Sequence, residues 1–310
     1  MKAKNMFRFG FLMAAAMTLM FAGCSKDKTT TKDSANTESM QQLTKDENNF
    51  ENASDQALND ANMILSQGKL KSTESLPCDA ITCIGPVIND SITIDITYQG
   101  LDCLGTHYRT GHVSIKKKYQ ENWGQAGATV IIKLDTFRIT KLSNGNLITL
   151  NGTKHFQNVS GHYLWELDSS VTSIVHREWG TVTATFDNGT SRVWNIARQR
   201  TFTAPSSPLR MITDGFGTAE GYTNLATWGI NRNGEQFYSS ITQSVVHKQL
   251  CDMNPCSGII VHKIPAASKS ATITFGYDND NNLITNFDCP KRYRLYWVIG
   301  NKSGTFFLPL

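Results

Sequence analysis

After residue 23 the sequence holds no uninterrupted apolar run approaching the ~18 residues that a membrane-crossing helix needs, which excludes a helical span from the bulk of the chain. It also lacks a charge excess. Lys and Arg number 30 against 26 Asp and Glu. Lys2, Lys4 and Arg8 fall in the first 23 residues, where there is no acid, so the rest carries 27 basic against 26 acidic side chains, a formal charge of +1. A near-neutral chain gives no general electrostatic case for nucleic acid as partner. There is no CxxC pair, which weighs against a zinc ribbon or a thioredoxin-type redox site. G-x-S-x-G, the phosphate loop, HExxH and the dinucleotide fingerprint are all missing. The histidines (His107, His112, His155, His162, His176, His247 and His262) contain no pair two residues apart, the spacing that strand-borne ligands need. No catalytic set, metal or cofactor is expected from motifs.

The N-terminus is the most informative segment present. Lys2, Lys4 and Arg8 form a basic start, Phe9 to Phe21 a short apolar core, and Ala22-Gly23 a small-residue cleavage site. Cys24 follows directly. This arrangement resembles the lipobox of bacterial lipoproteins, with Phe21 where Leu is usual. The resemblance implies cleavage before Cys24 and acylation of that cysteine. Several acyl chains on one residue exceed what stable anchoring requires. The expected partner is thus the membrane, reached through lipid. The expected location is the cell envelope, at the outer membrane, on either its periplasmic or its surface face. Lys26-Asp27 resembles the short charged signals that accompany surface export in some Bacteroidota lipoproteins.

Residues 24–48 are polar, with Met40 and Leu43 nearly alone as apolar side chains, and read as a disordered tether. Residues 49–77 read as a short helix and connector. Phe50, Ala53, Ala57, Ala61, Ile64 and Leu65 recur at steps of three and four, Gly68 stands at the expected stop, and Asp55, Asn59 and Asp60 lie off the stripe.

From about residue 78 the period becomes two. Val113 and Ile115, Val130 with Ile132 and Leu134, Val182 with Ala184 and Phe186, and Tyr293 with Leu295 and Trp297 each share a face. Phe137 and Ile139 resume out of phase, predicting a bulge near Asp135. Asn144-Gly145, Asn188-Gly189 and Asn233-Gly234 predict type I′ hairpin turns. The fold class is therefore all-β, a large antiparallel meander or sandwich over 78–310, with one short N-terminal helix. It forms either one domain or two subdomains meeting near 204–218.

Cys24 aside, six cysteines remain in two groups, an even number that suits an oxidising compartment. Local pairing joins Cys78 or Cys83 to Cys103, and Cys251 or Cys256 to Cys289. The segments CDAITC, NDSITIDITYQGLDCLGTHYRTGHVSI, KQLCDMNPCSGIIV and TFGYDNDNNLITNFDC resemble a group of uncharacterised Bacteroidota lipoproteins over roughly 78–310. This chain departs from that pattern at Ile96-Thr97, at His107-Tyr108 and at Asp278–Asn282. The resemblance implies a β-rich exported fold, the pairs Cys78–Cys103 and Cys256–Cys289, and no particular activity.

Two readings of function follow. The first is a non-catalytic binding or structural module of the envelope, with a glycan or an envelope protein as the partner. Its candidate surface is Arg192, Trp194, Ile196, Arg198, Arg200 and Phe202, which share one strand face and interleave guanidinium with aromatic groups. The same spacing also describes a wet face on which arginine stems cover aromatic rings. The second reading is a carbohydrate-active enzyme drawing two carboxylates from Glu166, Asp168, Glu178 and Glu220. Asp278 to Asn282 reads as a polar turn rather than a calcium loop, since Leu283 and Cys289 stand where that loop needs Gly and Glu.

Overall fold

Among the described residues, alternating Val, Ile, Thr and aromatic side chains bounded by Gly, Asn and Asp build fifteen strands in one antiparallel sheet. The computed structural model describes residues 30–66, 77–143, 145–204, 208–285 and 288–310, with helix side chains from Glu38 onward. Cys24 and the signal segment lie outside the described residues. The first seven strands are β1 (Ala80–Ile84), β2 (Ser91–Leu101), β3 (His107–Lys118), β4 (Ala128–Lys141), β5 (Leu147–Asn158), β6 (Ser173–Phe186) and β7 (Ser191–Thr203). Then come β8 (Arg210–Gly215), β9 (Gly217–Ala219), β10 (Tyr222–Ile230) and β11 (Gln236–Lys248). The last four are β12 (Pro255–Ile264), β13 (Lys269–Tyr277), β14 (Arg292–Ile299) and β15 (Lys302–Pro309).

Neighbours in the sheet follow chain order, so the fold is the all-β meander and not a sandwich. The exception lies in the middle. β8 and β10 both pair with β7 and with β11, at different heights, and so lie end to end in the slot between them. The segment near 204–218 therefore crosses within one sheet. One apolar cluster runs from Met40 to Leu295, which leaves a single domain there.

A helix, α1 (Thr30–Ser66), packs its buried side chains into the same apolar core as the sheet. It corrects the expected tether, because its backbone is helical from Thr30 rather than from about residue 49. The physical reason is that Met40 and Leu43 continue the apolar stripe and are fully buried, as is Phe50. The expected stripe itself holds: Ala53, Ala57, Ala61, Ile64 and Leu65 are buried. Buried Thr44, Asp46, Glu47 and Ser54 show that the sheet meets other faces of the helix too. Phe50 packs on Trp194 of β7 at 4.8 Å between ring centres, and Tyr98 of β2 donates to Asp60 at 2.8 Å.

The bulge near Asp135 is present, with a register shift between Leu134 and Phe137 and positive φ at Thr136. Gly111 faces it from β3, where a Cβ would stand 2.1 Å from the Thr136 carbonyl oxygen. The turns at Asn188-Gly189 and Asn233-Gly234 differ from expectation. Only the glycines have positive φ, and each turn closes through Gly189 N–H to Phe186 O or Gly234 N–H to Asn231 O. These are type I turns followed by a left-handed glycine, the three-residue hairpin loop rather than type I′. Asn144 lies outside the described residues.

The Cys78–Cys103 disulfide is formed as expected. The second expected pairing is corrected: Cys289 bridges Cys251, not Cys256. Cys251 is buried in a short 3-10 turn after β11, whereas Cys256 has already entered β12 and carries a free thiol, as does exposed Cys83.

Candidate ligand cavity

The strand face singled out in the sequence, Arg192 to Phe202, does share one side of β7, but that side points inward. Trp194 is fully buried, Ile196 and Arg198 nearly so, and Arg200 is buried, while Val193 on the other side is exposed. An outward-facing binding surface is thus corrected to an interior one. The cause is α1, whose Phe50 and acidic side chains meet these residues.

Those acids form a second stripe on the helix. Glu47, Glu51 and Asp55 stand four residues apart and so share a face. Opposite them a polar band crosses the sheet, because directly paired residues project to the same side. One row is His176, Arg200, Thr213 and Val245 across β6, β7, β8 and β11. The next is Ile196, Thr227, Ser239 and His262 across β7, β10, β11 and β12. Arg200 Nη2 donates to Asp55 Oδ1 at 2.5 Å and its Nη1 lies 3.0 Å from Glu178 Oε1. Lys154 donates to Ser54 Oγ at 2.6 Å and to Glu178 Oε2 at 3.2 Å. Burial alone would push Glu178 up, but Lys154, Arg200 and Arg198 outweigh it and hold the carboxyl at about 2.

Burial also shifts the groups around it, leaving Glu47, His176 and His262 neutral at pH 7 and Asp55 ionised. Burial pushes Glu47 up to about 8, and Asp55 to about 6 despite Arg200. Burial lowers His176 to about 4 and His262 to about 3. With both groups neutral, the 3.1 Å contact between His262 Nδ1 and Glu47 Oε2 is not an ion pair. Ser239 Oγ lies 2.6 Å from the same Nδ1. A hydrolytic triad needs nucleophile and orienting acid on opposite ring nitrogens of the histidine base, so Ser239, His262 and Glu47, with both partners at Nδ1, do not form one.

Between helix stripe and polar band lies a cavity of about 660 Å³, within the size range of small-molecule sites. Its polar waist is Glu47, Glu51, Asp55, Arg198, Arg200 and Thr213, and Phe202, Met211, Ile241, Val245 and Tyr293 add apolar wall. Gln249, Asp252 and Asn254 bring it to the surface, beside the Cys251–Cys289 bridge. Of the predicted site residues, Arg198, Arg200 and Phe202 line it; Arg192 and Trp194 do not. Arg192 instead bonds the backbone of Asn231 and Arg232.

The four carboxylates weighed for hydrolysis do not line this cavity. Glu178 is locked in the buried cluster. Glu166 accepts the Tyr163 N–H at 2.7 Å, Asp168 caps Ser170 and Val171, and Glu220 accepts the Tyr238 hydroxyl. Asp278 is spent on its own turn, accepting the N–H groups of Asp280 and Asn282. Sequence reasoning missed the helix acids. Their four-residue spacing was legible, but only knowledge of the sheet around them gives it meaning.

Among the described residues no helix is long and apolar enough to cross a membrane, and no group of three or more His, Cys, Asp or Glu side chains could hold a metal. No protein-family model matches the chain, and neither a curated protein nor a solved structure is detectably similar to it.

Proposed function

We propose that this protein is a lipid-anchored binding module of the bacterial cell envelope, and that it holds a small ligand in the interior cavity rather than on its outer surface. The observation that carries this is the cavity's buried, underused polarity. Arg198 Nη1, Arg200 Nε, His176 Nε2 and Thr213 Oγ1 find no hydrogen-bond partner among the described residues. Unsatisfied buried polar atoms are costly, and four along one wall call for a partner that the protein itself does not supply. The anchoring half of the proposal rests on Cys24 and the segment before it, and on the resemblance to exported lipoproteins. The disulfides agree with an oxidising compartment. Cys24→Ser should release the protein from the membrane fraction; unchanged fractionation and mass would refute the anchor.

The binding half is tested with the chain from residue 24 carrying Cys24→Ser. Saturation-transfer NMR against a panel of glycans and amphiphiles should find a binder that Met211→Trp, which fills the cavity, no longer takes. Equal binding by both proteins would refute the cavity as the site.

A second reading is favoured by one observation. Glu47, held neutral, and Glu51 stand one helical turn apart beside the cavity, the acid and carboxylate roles of a glycosidase. Release of reducing ends, abolished by Glu47→Gln, would select it over simple binding.

A further inference from the structure

We infer that the cavity's ligand is an uncharged, hydroxyl-rich small molecule, of which a short neutral saccharide is the fitting class. The inference rests on the binding-module reading and adds the chemistry of the ligand. Three features of the walls carry it.

The first is charge. Arg198 and Arg200 on the sheet are matched by Glu51 and Asp55 on the helix. Arg198 Nη1 stands 3.7 Å from Glu51, and Arg200 donates to Asp55. His176 and His247 are kept neutral by burial, so the waist carries no surplus charge to recognise an ion.

The second is the division of hydrogen-bonding roles. The sheet wall offers unused donors at Arg198 Nη1 and Arg200 Nε, and a hydroxyl at Thr213. The helix wall offers unused acceptors at Glu47 Oε1 and Gln56 Oε1. A hydroxyl both donates and accepts, so one hydroxyl-bearing molecule between the walls can satisfy both. A carboxylate or phosphate could serve only the donors and would face Glu51 and Asp55. An aliphatic chain would serve neither.

The third is the ring surface beside the waist. Phe202, Phe275 and Tyr293 line the cavity and supply aromatic wall of the kind that packs on the C–H surface of a sugar.

The test uses the Cys24→Ser chain, its Thr213→Val and Met211→Trp variants, and named probes. The probes are maltose, cellobiose and N,N′-diacetylchitobiose, with glucuronate and dodecanoate as charged controls. Affinity is read by calorimetry and folding by thermal unfolding. At least one neutral disaccharide should bind, with no dependence on salt. Thr213→Val should weaken it several-fold, and Met211→Trp should abolish it. Thr213→Val should also melt no lower than the parent, since it removes an unpartnered buried hydroxyl, which separates lost binding from lost folding. If glucuronate or dodecanoate binds in a Met211→Trp-sensitive way and no neutral sugar does, the ligand class is wrong while the cavity reading stands. Should no probe bind, or all bind Met211→Trp unchanged, both fall.

Discussion

The Lys154 ammonium donates to the Glu178 carboxylate at 3.2 Å with both side chains sealed from water, and Arg200 closes on the same carboxylate from the next strand at 3.0 Å. Glu178 is the carboxylate that meets all three buried cations, Lys154, Arg198 and Arg200, the two arginines also meeting Glu51 and Asp55 of the helix. Glu178→Gln should therefore destabilise the fold by about 3–5 kcal/mol, the cost of leaving buried charge unpaired. Lys154→Met should cost less, because Arg200 still meets Glu178. Urea unfolding of the two variants gives the comparison directly; equal losses would contradict this ranking.

Trp194 is a core residue, packed on Phe50, Phe186 and Phe237, with its indole N–H donating to the Ile230 carbonyl at 2.6 Å. Trp194→Ala should cost about 3–5 kcal/mol as a large-to-small core change. A stable variant with altered ligand binding alone would put Trp194 back in a surface site.

The pH dependence of stability has a definite sign. Burial raises the folded Glu47 from 4.5 to about 8, so its contribution is full at low pH and is lost as pH rises through 8. Burial lowers His176 from 6.5 to about 4 and His262 to about 3, so their contribution is full above 6.5 and is lost as pH falls through 4 and 3. Above pH 6.5 the histidines are neutral in both states, which leaves Glu47 in view. The melting temperature should fall between pH 6.5 and 8, and Glu47→Gln should flatten that fall.

Non-reducing peptide mapping should join Cys251 to Cys289 and leave Cys83 and Cys256 as thiols. Exposed Cys83 should alkylate first, since burial raises the Cys256 thiol. Replacing both Cys251 and Cys289 by Ser opens a loop of 38 residues and should cost about 4 kcal/mol in the chain-entropy model.

The strands and the bulge at Asp135 were legible in sequence because each is a local pattern, alternation or a phase slip, whereas proximity in the chain left Cys103 with either Cys78 or Cys83 and only the family resemblance chose Cys78. What was not legible depends on enclosure. Residues 30–48 look like a tether because Asp46 and Glu47 read as solvated charges, yet Asp46 pairs with Arg232 and Glu47 with His262 once the sheet surrounds them. Parity put Arg192 to Phe202 on one face correctly, but could not say which side of the sheet the helix would take. The choice of Cys251 over Cys256 turned on a 3-10 turn that has no sequence signature of its own.

The central claim is that ligand is held inside, between the acidic stripe of α1 and the polar band of the sheet. Methyl NMR on the Cys24→Ser chain, titrated with the tightest-binding neutral disaccharide, tests it most directly. The account predicts shifts at Met211, Thr213, Ile241 and Val245, which line the cavity, and none at Val193 on the outer face of β7. Shifts centred on Val193, with the cavity methyls unmoved, would contradict it.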